Sequence, residues 1–440
     1  METIAQWEPE NENFWKQTGS KIAWRTLSIT TVSLILSFAT WFVMSAVVVK
    51  LPNIGFKFDT MQLFWLAAMP GLAGGTLRII HTFLIPLYGT RKVITVSTLL
   101  KIFPMLGLAL AIMNPSSPFW LFMVLALAAG LGGGDFSSYM PSTSLFFPKR
   151  LQGTALGIQA GIGNFGVSLV QFVTPWIIGF AAFGTIAGGS QTFVKDAVSK
   201  PMWLQNAALW FLPFLIVLGV VAGLYLRNVP VKASFREQLD IFKDKHTWLM
   251  TSLYMMTFGS FSGFSAAFPL LIKSVYTVKF PGGPDPLKYA FYGPLVGSAV
   301  RVLMGPPSDK WGGAVITQIS GIGLFVCALI VPHYLTPTSL EQFPYFVGLM
   351  LGLFFFAGIG NASTFRQMPV IFPPRQAGGV LGWTAAIAAY GPFVFSTLIG
   401  VVMAKTGSPK AFFYGASVFY AINIVINWWF YKRKGCEKPC

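Results

Sequence analysis

The sequence predicts an all-α integral membrane protein whose twelve spanning helices form two repeated six-helix halves. Three observations predict it. The 440 residues are 54% hydrophobic and only 10% charged; apolar stretches of spanning length recur along the whole chain; and short motifs of the first half return in the second at nearly constant spacing. A soluble domain of this length would not present a mean hydropathy of +0.63 to water.

A helix needs about 20 apolar residues to cross the hydrocarbon core. On that criterion the spans fall at 26–49, 61–85, 92–113, 118–147, 150–182, 203–226, 248–273, 285–306, 313–333, 343–372, 376–403 and 409–432. Residues 1–25 precede them and 433–440 follow. The longest polar stretch, 227–247, links a bundle over 26–226 to one over 248–432. The opening "METIAQWEPENENFWKQ" is polar and acidic, unlike a cleavable signal peptide, so the first span is expected to act as an uncleaved anchor.

The net charge of +17 does not gather into a nucleic-acid-binding patch. It sorts by side of the membrane. Lys16, Lys21, Arg25, Arg91, Lys92, Lys149, Arg150, Arg227, Lys232, Arg236, Lys243, Lys245, Lys310, Arg375, Lys432, Arg433, Lys434 and Lys438 fall on one side, and about half as many basic residues on the other. The positive-inside rule then places both termini in the cytoplasm, as an even number of spans requires. The expected location is the inner, cytoplasmic membrane, with the lipid bilayer as partner and a monomer as the assembly. Cys327, Cys436 and Cys440 form neither a disulfide framework nor a metal spacing.

The duplication is visible in three places. "FPKRLQGTALG" (147–157) and "FPPRQAGGVLG" (372–382) share F-P-x-R-x-x-G-x-x-L-G at an offset of 225. Arg78 and Gly89 match Arg301 and Gly312 at 223, and Thr40, Ser45 and Pro52 match Thr257, Ser262 and Pro269 at 217. Parallel halves related by an axis along the membrane normal place a substrate site at mid-membrane between them.

Each half thus supplies one arginine, Arg78 or Arg301, from within its second span. A guanidinium in a bilayer costs a few kcal/mol or more, so it marks a function. Two planar, permanently charged forks converging on one centre suit a small planar oxyanion. The alternative is that each pairs with an acid of its own half. Asp135 is the clear embedded acid, and Asp309 lies in the loop after the eighth span. One acid cannot neutralise both arginines and Arg366 besides, which favours the anion site.

Further along, "GPPSDKWGG" (305–313) looks like the G-x-x-x-D-[RK]-x-G-G loop of the major facilitator superfamily, with a degenerate counterpart in "PLYGTRK" (86–92). "AGIGNFGVSLVQ" (160–171) has glycine on nearly every turn. Glycine at that density weakens a helix, so either close helix approach or a pore lined by bare backbone must account for it. Here the chain resembles the nitrate/nitrite porter family of that superfamily, in which G-x-G-N-x-G in the fifth helix is a signature. The likeness runs end to end through "WEPENENFW", "LRIIHTFLIPLYGTRK", "GGGDFSSYMPSTSLFFPK", "GTALGIQAGIGNFGVS", "TFGSFSGFSAAF", "SDKWGG", "STFRQMPVIF" and "TGSPKAFF".

The resemblance implies a major facilitator fold and a secondary transporter of nitrate and nitrite working by alternating access. It assigns substrate binding to Arg78 and Arg301, a hydrogen-bonding role to Tyr254, stacking on the anion to Phe136 and Phe258, and the signature asparagine to Asn164, beside Gly161 and Gly163. The residues themselves agree: Tyr254 can donate to an anion oxygen, and Phe258 lies one turn further along the same face. Departures concern selectivity and coupling. Gln159, Met44, Ala385, Ala388 and Tyr390 differ from the family pattern, and Asp135, His81 and Arg366 each introduce an ionisable group where it has none.

A site of two fixed cations without a titratable carboxylate suits nitrate/nitrite antiport. Nitrate/proton symport through Asp135 or His81 is the alternative. For Asp135 the favoured expectation is an ion pair with Arg366, latching the fourth span to the tenth. A non-transporting anion sensor is a weaker alternative. Enzyme chemistry is not expected: the chain has no Walker A sequence, nucleophile elbow, metal cluster or cofactor-attachment motif. Cofactors and metals are expected to be absent.

Overall fold

The computed structural model describes residues 4, 6–196, 198–230 and 236–440. Lys232, part of the orientation count and of the 227–247 linker, lies outside the described residues, as does Ala197. The architecture is all-helical apart from one short ribbon. We number the spanning helices α1 (Ser20–Trp41, continued by Val43–Val47), α2 (Thr60–His81), α3 (Leu84–Leu100 and Ile102–Met113, joined at Lys101), α4 (Phe119–Ala129, Leu131–Gly134 and Phe136–Phe146) and α5 (Lys149–Ile177). Then follow α6 (Phe211–Tyr225), α7 (Lys245–Tyr254 and Ser260–Ile272), α8 (Tyr292–Leu303), α9 (Gly313–Ile330), α10 (Phe343–Ile371), α11 (Pro374–Ala388 and Gly391–Thr406) and α12 (Lys410–Asn427). Eleven candidate spans among the described residues are long and apolar enough to cross a membrane by composition. The remaining segment is α8, a continuous helix of 12 residues in which Gly293, Pro294, Gly297 and Arg301 also depress the hydropathy; hydropathy penalises the residues that a function inside a membrane requires.

Local chemistry sets the boundaries. Asp59 Oδ1 accepts from the Gln62 backbone N–H and Gln62 Oε1 accepts from the Asp59 backbone N–H, a capping box that starts α2. Phe147 holds extended backbone before Pro148 and α5, and Phe372 does the same before Pro373 and α11, because a residue preceding proline is driven out of the helical region.

The duplication predicted from short motifs is present in backbone geometry. Gly89 turns the chain at φ 78°, ψ 161° and Gly312 at φ 90°, ψ 138°, a region essentially closed to residues with a Cβ. Gly89→Ala and Gly312→Ala should therefore each cost about 1–3 kcal/mol. The loss should be larger at Gly89, where a Cβ would stand 2.5 Å from the Asn228 side chain, than at Gly312, whose nearest neighbour would be the Cys440 carbonyl at 3.3 Å. Thermal unfolding of the purified variants checks both the size and the order.

Burial sorts the helices into layers. Nearly all of α7 is inside, 94% of its apolar window, whereas α6 and α12 bury only 33% of theirs. The outer helices present large apolar side chains such as Phe103, Trp120, Leu224 and Val425, which only a lipid surface accommodates. The halves meet along α2 with α11, α5 with α8, and α1 with α7. Gly71 faces the Phe393 backbone and Pro392, and Gly75 faces the Tyr390 ring, so α2 and α11 approach at backbone distance. At the end away from the termini, Gln171 of α5 donates to Ser45 Oγ at 2.9 Å and to the Ser265 carbonyl at 2.8 Å, tying α1 and α7 together.

The sequence did not foretell the ribbon. Strands β1 (Gln191–Lys195) and β2 (Val198–Met202) pair antiparallel between α5 and α6, on the face away from the termini, which is called the ribbon face below.

Candidate functional site

Two buried guanidiniums meet at the middle of α7. A π-helical turn, Met255–Gly259, widens that helix, a distortion frequent at functional sites. It stacks the Tyr254 and Phe258 rings at 5.5 Å with an interplanar angle of 7°. Arg78 and Arg301 both lie against the Phe258 ring, with their Cζ atoms 5.3 Å and 5.9 Å from its centre.

Arg78 is fully buried. Its Nε donates to the Gly133 carbonyl at 2.8 Å and its Nη1 to the Ala385 carbonyl at 2.7 Å. These acceptors belong to α4 and α11, one from each half. The Phe136 ring stands 4.7 Å from its Cζ and the Trp41 ring 5.2 Å. Arg301 is 6% exposed, with the Phe365 ring 5.2 Å from its Cζ. Neither guanidinium pairs with a carboxylate among the described residues. Arg78 Nη2 and Arg301 Nη1 are buried without a hydrogen-bond partner, and the Tyr254 hydroxyl proton has no acceptor. The amides of Asn164 and Asn361 are buried and unpartnered as well.

Buried donors aimed at nothing are expensive. Two uncompensated cations in apolar surroundings are more so, because each raises the energy of the other. A small anion taking hydrogen bonds from Arg78 Nη2, Arg301 Nη1 and Tyr254 would satisfy all three, with Phe136 and Phe258 as flat apolar walls. Among the predicted binding residues, Arg78, Arg301, Tyr254, Phe136 and Phe258 are thus brought together. Asn164 contributes a free buried amide on α5, which packs against α1 and α8.

Gly161 and Gly163 have a different role from the pore lining entertained above. A Cβ on Gly163 would meet the Leu34 side chain at 2.7 Å, and one on Gly161 the Val302 side chain at 2.6 Å. Both open room for helix packing, of α5 on α1 and of α5 on α8 across the halves.

The expected Asp135 to Arg366 latch does not form. Asp135 pairs inside its own half with Lys101 of α3, whose Nζ lies 2.5 Å from Oδ2, and Ser37 donates to the same oxygen at 2.5 Å. Lys101 is itself 1% exposed and also donates to the Ser97 carbonyl. Arg366 instead pairs with Asp309, and its guanidinium reaches the α5 backbone near Gly153. The reason is distance in depth: Arg366 sits at the end of the membrane nearer the termini, Asp135 in the interior, where the nearest cation wins. His81 completes this second cluster, with Nδ1 3.1 Å from Ser138 Oγ and 3.8 Å from Asp135 Oδ1.

Sequence reasoning missed Lys101 as the neutralising partner, and Phe365 and Trp41 as walls. The signal for Lys101 was available: a lysine in the middle of an apolar span. For Phe365 and Trp41, nothing distinguishes them in the sequence from the other aromatics of the chain.

Residues 29–365 match the sequence profile of the Major Facilitator Superfamily. The chain is 64% identical over 438 residues to the probable nitrate/nitrite antiporter NarK2 of Thermus thermophilus, covering 99% of this chain and 98% of the relative. It is 36% identical over 453 residues to the nitrate/nitrite transporter NarU of Escherichia coli, covering 98% and 96%. In fold it is similar to the solved structure of a bacterial homologue of the human lysosomal transporter Spinster in an inward-facing and occupied conformation, with a TM-score of 0.67, 13% identity and coverage of 91% and 95%.

Proposed function

The chain belongs to the nitrate/nitrite porter family of the major facilitator superfamily, and from that premise we propose that it transports nitrate and nitrite by alternating access, exchanging one for the other. The observation that supports this most is the pair of buried guanidiniums whose partners in the protein are neutral carbonyls and aromatic rings. Nitrate and nitrite are planar anions, and both fit between two planar forks and the Phe136 and Phe258 rings. Both termini are then cytoplasmic and the ribbon face is external.

The arrangement also supplies a reason for coupling. With the site empty, Arg78 and Arg301 repel across a space of low dielectric, and closing both gates around them is disfavoured. A bound anion removes that repulsion, so the occluded intermediate forms with substrate and not without it. Ligand can drive a conformational step only through such a difference in affinity between states. Return to the other face therefore requires an anion, which is exchange.

Proton symport would need Asp135 or His81 to gain and lose a proton in each cycle. Asp135 already has a fixed cation and a hydroxyl as partners, which favours a structural role. Labelled-nitrate uptake into proteoliposomes separates the two. Uptake should require nitrite or nitrate inside the vesicle and ignore an acid-outside gradient. Uptake into anion-free vesicles driven by the gradient would replace exchange with symport.

A further inference from the structure

Beneath the ribbon lies a cavity of about 620 Å³ that the central site does not include. Lys50, Lys195, Lys200 and Lys273 line it, together with Asp196 and Asp285, so cations outnumber acids. Lys50 is the one with a carboxylate partner among the described residues, its Nζ 2.8 Å and 2.9 Å from the two oxygens of Asp285. Lys273 donates to the Val49 carbonyl and to Asn53 Oδ1 at 3.3 Å. Lys195 donates to the Gly283 carbonyl at 2.8 Å. Lys200 and Lys50 each stand 5.6 Å from the centre of the Phe193 ring. Three ammonium groups are thus met by neutral atoms alone. Burial pushes the Lys50 ammonium below its ordinary pKa despite Asp285, and the charges of Lys200 and Lys195 push it the same way.

The cavity belongs to both halves. Lys50, Lys195 and the Val49 carbonyl come from the first, Asp285, Gly283 and Lys273 from the second. These contacts close the ribbon face, and the Gln171 ties and the α2 to α11 packing separate the cavity from the arginines. An anion arriving from this side meets the lysines before any route to the centre is open.

We propose that this cavity is a second anion site, which holds a small oxyanion from the solution on the ribbon side while the central site is sealed from that face. The proposal rests on the exchange function of the central pair. The chemistry of the two sites differs. Arginine forks recognise a planar shape, whereas lysine ammoniums are compact, strongly hydrated charges without a preferred ligand plane. A cavity this large leaves a small anion hydrated, so the attraction is chiefly Coulombic and weakens as salt rises. The outer site collects anions, and the central one selects among them. Because Lys50 and Lys273 also make the bonds that close this face, a bound anion competes with Asp285 and with the Val49 carbonyl for the same ammoniums.

Equilibrium dialysis of labelled nitrate against the full-length protein in phospholipid-free detergent tests this. Wild type should show two classes of site. Arg301→Lys should keep only the weaker class, and Lys195→Gln with Lys200→Gln, added to it, should weaken that class roughly tenfold. Lys200 is exposed and Lys195 partly so, and the substitutions spare the helical core. A weaker class indifferent to the ribbon substitutions, or absent, overturns the proposal while the Arg301-dependent class leaves the central site standing. A single class in wild type that is ribbon-dependent and unaffected by Arg301→Lys would instead sink the central site. Repeating the dialysis with phosphatidylglycerol separates the sources of the oxyanion. If the lipid excludes nitrate from the weaker class at every nitrate concentration tried, the cavity holds a phosphate headgroup and the small-anion assignment fails.

Discussion

Arg78→Lys and Arg301→Lys should each abolish nitrate/nitrite exchange in proteoliposomes, with the purified variants still folded and monodisperse. Lysine keeps the charge and loses the fork. At Arg78 the loss is threefold in kind: the guanidinium donates to the Gly133 and Ala385 carbonyls and keeps a further nitrogen free, while its flat face meets Phe136 and Trp41. A lysine ammonium presents its three N–H groups from a single nitrogen and does not reproduce the spread from Nε to Nη2 that reaches two carbonyls in different halves and leaves a donor for the anion. Each charge-assisted hydrogen bond lost is worth about 1.5–3 kcal/mol, roughly a tenfold to hundredfold fall in affinity per bond. The Arg301 variant should lose less stability, since Arg301 has no hydrogen bond comparable to those Arg78 makes across the halves. Substantial exchange by either lysine variant would remove planar recognition as the basis of the site. Tyr254→Phe offers a milder companion, expected to raise the KM for nitrate about tenfold by removing one donor.

Lys101→Met should be strongly destabilising. It leaves the Asp135 carboxylate fully buried with Ser37 as donor and His81 3.8 Å away. Breaking a buried pair from one side costs about 3–5 kcal/mol, whereas replacing both members by groups of similar volume is often nearly neutral. Lys101→Met together with Asp135→Asn should therefore recover most of the thermal stability lost by Lys101→Met. The same double variant bears on coupling. If its nitrate uptake responds to a pH gradient as wild type does, the pair is a brace for α3 and α4. That brace has a use, because Asp135 follows two residues after Gly133, whose carbonyl holds Arg78. If the double variant alone loses a gradient response that wild type possesses, Asp135 carries the proton instead.

Much of the candidate site's arrangement was legible in the sequence. Arg78 and Arg301 stand out because a guanidinium inside an apolar span is too costly to persist without a function, and the duplication pairs them. Gly89 and Gly312 were matched by offset alone and have the same left-handed turn. The latch between Asp135 and Arg366 failed for a physical reason. Two residues on repeat-related helices were matched by charge, but depth in the membrane was not available from the sequence, and Lys101 stood nearer. Likewise the glycines of α5 could be counted, yet whether their bare faces line a pore or admit Leu34 and Val302 depends on helix rotation.

By itself the sequence determined that this is a multi-span helical membrane protein built twice over, with one matched arginine in the second span of each half. Those properties follow from transfer free energies and repeated local motifs, which are sums over neighbouring residues. Only the tertiary structure decided which cation lacks an anion. Arg78, Arg301 and Lys101 look alike along the chain; Lys101 lies 2.5 Å from Asp135, while each arginine keeps a buried nitrogen without a partner. Pairing in a low dielectric depends on a few ångströms between helices far apart in sequence, and no local pattern encodes that distance.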